Sequence, residues 1–283
     1  MRSVDEAVIL VTGSTDGLGK STARDLAAAG ATVLLHGRDP ERGDAAVREI
    51  HEETDNDRLH YYVADFSSLE EVRRLAHEVT ADYDRLDVLV NNAGIGAGRR
   101  GETSRDLSRD GYELRFAVNY LAPFLLTRLL LPLVRRSEPA RIVNVASAGQ
   151  SPISFDDVML ERGYDGMRAY AQSKLALVMF TFDLAGELKG TGVIANSLHP
   201  ASLMDTKMVF ETFGSASSSV REGTDATVRL AISPELRRVT GRYFDGQREA
   251  RANEQAYDPE ARERLRRLSE ELTGLRASGA NSS

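Results

Sequence analysis

Val8-Ile9-Leu10-Val11-Thr12-Gly13-Ser14-Thr15-Asp16-Gly17-Leu18-Gly19 is the stretch on which the fold turns. Its first four residues are apolar without alternation, so both faces of the strand must be covered, as in a parallel sheet between helices. Glycines at 13, 17 and 19 then allow a tight turn and a close backbone approach to a ligand, and a helical pattern follows over 18–29. A strand, a glycine turn and a helix in that order form a seat for a pyrophosphate, which sits against the N–H groups and positive end of the helix. A glycine trio also serves any tight turn. Its place in the first strand–helix unit is what makes it a cofactor signal.

The pattern continues downstream. Apolar runs at 31–36, 59–64, 88–91, 141–146 and 193–198 read as further buried strands, with helical patterns at 40–54, 68–83, 108–135 and 167–189. This alternation predicts a single Rossmann-type α/β domain, a doubly wound parallel sheet of about seven strands with helices on both faces. The domain covers 1–273, and the Ser/Asn/Gly-rich residues 274–283 read as a flexible tail. Asp39-Pro40 marks one helix start, Ser67-Ser68-Leu69-Glu70 another as a capping box, and Asp258-Pro259 opens a last helix to about Leu272. Two segments break the rhythm, 148–166 and 200–222. Each follows the end of a strand, where open α/β sheets hold ligands, and both read as substrate-side loops.

Composition narrows the field. The 283 residues carry 36 Lys and Arg against 43 Asp and Glu, a net charge of −7, which disfavours nucleic acid as the main ligand. The absence of cysteine excludes disulfides, thiol nucleophiles and cysteine zinc sites, and the five histidines show no His-x-x-x-His pairing, so no metal is expected. The greasiest segment, Leu121–Val134, is interrupted by Pro123, Arg128 and Pro132 and falls short of the roughly 18–20 residues a membrane span needs. With no signal-peptide pattern at the start, the expectation is a soluble, cytoplasmic protein.

The second strand ends His36-Gly37-Arg38. A carboxylate there would bind the free 2′-hydroxyl of NAD(H), whereas arginine suits the 2′-phosphate of NADP(H). Asp39 has a helix to cap, which leaves Arg38 and favours NADP(H), with NAD(H) possible. Asp65, with Phe66 beside it, ends the third strand and is free to accept from an adenine amino group, because Ser67 or Ser68 caps the next helix. Asn91-Asn92-Ala93-Gly94 closes the fourth strand.

Tyr170-Ala171-Gln172-Ser173-Lys174 falls in a helical pattern, so Tyr170 and Lys174 share one face. A free phenol titrates near 10. An ammonium about 4 Å away contributes roughly 4 kcal/mol at an effective dielectric of 20, close to 3 pKa units, and would bring the phenol into the working range of an acid or base. Such a pair also occurs on many solvated helices, so its company decides.

In that company the sequence resembles the short-chain dehydrogenase/reductase family, in its retinol-dehydrogenase-like and protochlorophyllide-reductase-like branch. The matching marks are Thr12-Gly13-x-x-x-Gly17-x-Gly19, Asp65, Asn91-Asn92-Ala93-Gly94, Asn119, Ser147 and Tyr170-x-x-x-Lys174, in family order over about residues 6–273. The resemblance implies a nicotinamide-dependent oxidoreductase that moves a hydride to or from a carbonyl or alcohol carbon. It implies that Tyr170 exchanges a proton with the substrate oxygen, Lys174 lowers the Tyr170 pKa and holds the nicotinamide ribose, Ser147 donates to the carbonyl oxygen, and Asn119 holds a water leading to Lys174. Thr12, Gly13, Ser14, Thr15, Gly17, Leu18, Gly19, Asn92, Ala93 and Gly94 would form the cofactor cleft. Pro200 and Thr206 would lie on the loop that meets the nicotinamide amide. Ser147 and Tyr170 are 23 apart, wider than the family's usual dozen, which leaves Ser151 as a minor rival; and the family's Pro-Gly reads Pro200-Ala201, so that loop's shape is in question.

Ile153, Phe155, Met159, Leu203, Met204, Met208, Val209, Phe210 and Phe213 suit an apolar small-molecule substrate, or else pack the loops onto the body. Ser215–Ser219 reads as a hinge of a closing lid. The helices near 108–135 and 167–189 are apolar on more than one face (Phe124, Leu125, Leu129, Leu130; Leu177, Phe180, Phe182), and in the resembled family they pair subunits, so a homodimer or homotetramer is expected. Two other functions use the same residues: a cofactor-binding regulator without turnover, and an epimerase or dehydratase with the same Tyr–Lys pair.

Overall fold

Val8–Val11 (β1) is buried at every residue, with Val8 and Leu10 in one hydrophobic core and Ile9 and Val11 in the other. That two-sided burial is why the run is apolar without alternation. The computed structural model describes residues 3–99 and 101–275, so most of the predicted tail lies outside the described residues. The remaining strands are β2 (Thr32–Gly37), β3 (Leu59–Val63), β4 (Val88–Asn91), β5 (Ala140–Val145), β6 (Val193–His199), β7 (Tyr243–Asp245) and β8 (Arg248–Ala250). They form one sheet in the order β3-β2-β1-β4-β5-β6-β7-β8, parallel except for the β7–β8 hairpin. The eighth strand exceeds the expected number because Arg248-Glu249-Ala250 is short and charged, with no apolar run to announce it. The chain reverses its direction of travel across the sheet between β1 and β4, and the crevice at that point is where such sheets take ligands.

The helices are α1 (Gly17–Ala28), α2 (Pro40–Thr54), α3 (Leu69–Asp82), α4 (Leu114–Arg136), α5 (Gly166–Glu187), α6 (Lys207–Phe213), α7 (Val220–Ile232) and α8 (Pro259–Thr273). The expected capping box shifts by one residue. Ser68 caps α3 by accepting from Glu71 N, and Glu71 reaches back to Asp65 N (2.7 Å) rather than to the cap. Helix α4 begins at Leu114, not near 108, because residues 107–113 close on themselves through a Leu107–Glu113 bridge with Gly111 at φ +84°. It contains a π turn over Ala117–Leu121.

Helix α4 also corrects the length read from sequence. Its 23 residues are long and apolar enough to cross a membrane by length and composition, but 83% of its most apolar window is buried within the protein. Phe116, Tyr120, Phe124 and Phe180 form a chain of ring contacts 5.0–6.0 Å between centroids. Most of the apolar residues of α4 and α5 assigned above to a partner subunit are covered within the protein, while Leu129 and Phe182 stay partly exposed. Leu125, Leu130, Leu177 and Phe180 are buried, and α8 lies across the pair with Tyr120 Oη 2.6 Å from Ser269 Oγ. Tyr112 Oη donates to Leu272 O (2.8 Å) and Arg73 to Thr273 O, which fasten the end of α8.

Candidate active site

The C-terminal ends of β1, β4, β5 and β6 open into one cleft of about 1230 Å³. Its floor is the first glycine turn. Gly13 has φ +65°, and a Cβ on Gly19 would lie 2.1 Å from Gly13 O, so the start of α1 packs on the turn with no room for a side chain. Gly13, Thr15, Gly17, Leu18 and Gly19 line the cleft. Thr12 and Ser14, expected to touch cofactor, stand behind the turn instead. Thr12 Oγ1 accepts from Asn92 N (2.9 Å) and Ala93 N (3.0 Å), and Ser14 Oγ accepts from His36 N (2.9 Å).

His36 is a residue the sequence did not single out. Its Nε2 donates to Ala64 O (3.0 Å), which fixes the tautomer, and Nδ1 accepts from Gly13 N (3.1 Å). The ring stacks on Phe66 at 4.3 Å, and burial pushes its pKa down to about 4, so it is neutral at ordinary pH. One uncharged imidazole thus ties the glycine turn to the end of β3. Its only sequence signal was a histidine in an apolar strand.

At the adenosine end, Arg38 is exposed at the rim of the cleft. Arg42, also unforeseen, joins it and pairs with Asp16 (2.9 Å), which itself accepts from Gly17 N (2.7 Å) at the start of α1. Asp39 accepts from Arg42 N (3.2 Å) as the α2 cap. Asp65 is not free, contrary to expectation: one carboxylate oxygen accepts from Ser67 N (2.9 Å) and the other pairs with Arg109 (3.3 Å). The cause is that residues 107–113, lying outside α4, run along the 65–71 turn, where Arg109 also reaches Glu71 (2.5 Å). Phe66, Asn92, Ala93 and Gly94 line the cleft nearby.

Ser147, Tyr170 and Lys174 meet in the cleft wall. Lys174 Nζ donates to Val145 O (3.0 Å) and lies 5.8 Å from the centre of the Tyr170 ring; burial lowers its pKa to about 8. Burial raises Tyr170 above the ordinary tyrosine value, while a hydrogen bond from the Ser147 side acts to lower it. Desolvation here opposes the acidification expected from Lys174, whose ammonium donates to a backbone carbonyl. Ser147 Oγ also accepts from Gly149 N (3.0 Å). Ser151, in the loop before α5, donates its N–H to Ala171 O of that helix (3.3 Å) and does not line the cleft. Asn119 stands behind the wall in the π turn. Its Oδ1 accepts from Ile95 N (2.8 Å), and its Nδ2 donates to Ile95 O (3.1 Å) and Ser173 Oγ (3.0 Å). That full set of partners is why an asparagine is tolerated within a helix.

The substrate end is apolar, but not as the sequence divided it. Leu203, Met204, Met208 and Val209 line the cleft, whereas Ile153, Phe155 and Met159 pack into the core. The missing wall comes from Ile95, Leu114, Val118 and Met167, on the loop after β4 and on α4 and α5. Pro200 and Thr206 line the cleft, Thr206 capping α6. With alanine at 201, the left-handed conformation falls on Leu203, at φ +48°.

The sequence profile described as short chain dehydrogenase matches residues 7–215. The chain belongs to the short-chain dehydrogenase family. Among its relatives, retinol dehydrogenase 13 of Mus musculus is 37% identical over 94% of this chain and 84% of its own length, and retinol dehydrogenase 12 of Homo sapiens 34% over 95% and 87%. Among solved structures, a short-chain dehydrogenase from Shigella flexneri complexed with NADP is 27% identical, with a TM-score of 0.72 over 86% of this chain and 97% of that one. This short-chain dehydrogenase is accordingly an oxidoreductase, with its fold and the retinol-dehydrogenase-like branch shared by those relatives.

Proposed function

We propose that the protein transfers a hydride between NADP(H) and a carbonyl or secondary-alcohol substrate with an apolar body. One observation carries this: a single cleft has Arg38 and Arg42 at one end and Ser147, Tyr170 and Lys174 under an apolar wall at the other. Relatives named retinol dehydrogenases and a structural neighbour complexed with NADP support the substrate class and the cofactor.

The residues fit a dinucleotide. The Gly13–Gly19 contact packs the α1 amino end directly on the glycine turn, a seat for a pyrophosphate beside the Asp16 cap, and the two guanidiniums suit a 2′-phosphate. When bound, the nicotinamide supplies or accepts the hydride. Ser147 donates a hydrogen bond to the substrate oxygen, where charge builds. Tyr170, kept protonated by burial, gives its phenolic proton to that oxygen in the reducing direction, and takes a proton from the hydroxyl in the oxidising one. Lys174, charged below about 8, offsets the phenolate left behind. Reduction should therefore weaken as pH rises through about 8, where Lys174 loses its charge.

An NADP(H) enzyme works where that dinucleotide is pooled, inside the cell, which supports a cytoplasmic location. The homodimer or homotetramer rests on the family resemblance, because most of the apolar residues first offered in its support are buried within the protein, with Leu129 and Phe182 partly exposed.

The test is NADPH oxidation against a panel of apolar ketones and aldehydes. Tyr170→Phe should lower kcat by at least about 100-fold. Arg38→Ala should raise the KM for NADPH far more than that for NADH. Equal rates in parent and Tyr170→Phe would remove the proposed acid, and turnover without net NADPH change would point to an epimerase or dehydratase.

A further inference from the structure

Behind the substrate wall lies a buried charged cluster that takes no part in the chemistry above. Arg115 is 5% exposed and Glu113 1% exposed. Neither lines the cleft. Every nitrogen of the guanidinium has a partner: Nε donates to Gly96 O (3.0 Å), Nη2 to Ala97 O (2.8 Å) and Nη1 to Tyr164 Oη (2.6 Å). Tyr164 in turn donates to Glu113 Oε1 (2.9 Å), and Glu113 Oε2 accepts from Phe116 N (2.6 Å) at the start of α4. Arg115 and Glu113 approach within 3.7 Å.

The cluster joins three pieces of the site. Arg115 stands four residues before Asn119 on α4, and the two side chains grip consecutive carbonyls of one loop: Asn119 holds Ile95, and Arg115 holds Gly96 and Ala97. Gly94 to Ala97 all line the cleft. Tyr164 immediately precedes Asp165, the cap of α5, which carries Tyr170 one turn further on. A Cβ on Gly166 would lie 2.2 Å from Ala97 O, so the start of α5 rests directly on the gripped loop.

We propose that Arg115 is a positioning residue for substrate recognition, holding the 94–97 loop and the start of α5 in register through its planar fork. Building on the function proposed above, it shapes the substrate end of the cleft while leaving the dinucleotide end alone, since none of its partners belongs to the glycine turn, β2 or β3. Lysine keeps the charge but not the fork: a single ammonium cannot hold two carbonyls and a phenol in the guanidinium's plane. The same geometry makes Tyr164 the hydroxyl link between Arg115 and the 148–166 segment.

Two measurements test this, one of them independent of turnover. Hydrogen exchange compares the parent with Arg115→Lys, and with the milder Tyr164→Phe, which leaves the Arg115–Glu113 pair in place. In Arg115→Lys, exchange should quicken at least tenfold in both 94–98 and 160–168 and stay unchanged in 12–19. Tyr164→Phe should quicken 160–168 alone. Steady-state kinetics on the same proteins should show substrate KM raised about tenfold in Arg115→Lys and NADPH KM within twofold. Exchange that changes everywhere, in neither segment, or equally at 12–19 would overturn the latch. A latch present by exchange, in a protein that oxidises no NADPH with any substrate, would instead overturn the proposed function.

Discussion

Residues 148–166 and 200–218 follow strands of the same sheet at the cleft end and share an apolar composition, yet the structure holds them in opposite ways. The first has its own turn around Asp157 but is also bonded outward along its length. Ile153 N donates to Gln255 (2.6 Å), Ser154 N to Gln172 (2.9 Å), Gln172 to Val158 O (2.9 Å), Arg105 to Met159 O (2.8 Å), and Tyr164 joins Glu113 and Arg115. The second is bonded to itself: Asp205 N to Ser218 O (3.0 Å), Ser217 N to Leu203 O (2.9 Å) and Ser218 Oγ to Ser202 O (2.6 Å). Its link to the body is at its base, where His199 meets Ser202 (3.0 Å). One is a wall and the other a flap. Composition reports that a segment lies near an apolar ligand; only the destination of its backbone hydrogen bonds reports whether it moves.

The contrast can be broken by adding one methyl group to each side. Gly166→Ala drives a Cβ to 2.2 Å from the Ala97 carbonyl, in a place where nothing can yield. It should cost about 3 kcal/mol, read by urea unfolding; a loss under about 1 kcal/mol would mean the wall gives way after all. Next in size is protease access. Arg162 in the wall and Lys207 in the flap are similarly exposed, at 81% and 77% for their side chains. Trypsin needs a locally opened chain, so cleavage after Lys207 should run at least about tenfold faster than after Arg162. Equal rates would erase the distinction. The smallest effect belongs to Gly96→Ala, whose Cβ would meet the Met208 side chain of the flap at 2.7 Å. A flexible thioether on a self-bonded segment can move aside, so stability should change by less than about 1 kcal/mol while the substrate KM shifts.

The parallel sheet and its main elements were legible because they obey period rules: β1 to β6 each appear as an apolar run and α1 to α5 each as a repeat, whereas α6, inside the segment read as a loop, and α7 were not foreseen. Tyr170 and Lys174 were found through their spacing and Ser147 through the family resemblance, and the structure brings all three to one cleft. What escaped is of another kind. His36, Arg42 and Arg115 act through partners 18 to 49 residues away, in a geometry no local pattern encodes. Thr12 and Ser14 belong to the motif but support the turn from behind, a distinction of side rather than of position. The Tyr170–Lys174 electrostatics were misjudged for a related reason: one helical turn fixes the spacing of two side chains, but not which way the ammonium points.

Helix α8 carries a consequence for how the protein is made. It comes from residues 259–273, far downstream of the α4 and α5 helices it covers. A nascent chain that has emerged only as far as β8 already contains every group of the cleft, but shows solvent the flank on which Tyr120 rests. Synthesis halted there would leave a catalytic body that is complete in its chemistry and sticky on one side, a form for chaperones to hold until the ribosome delivers the cover.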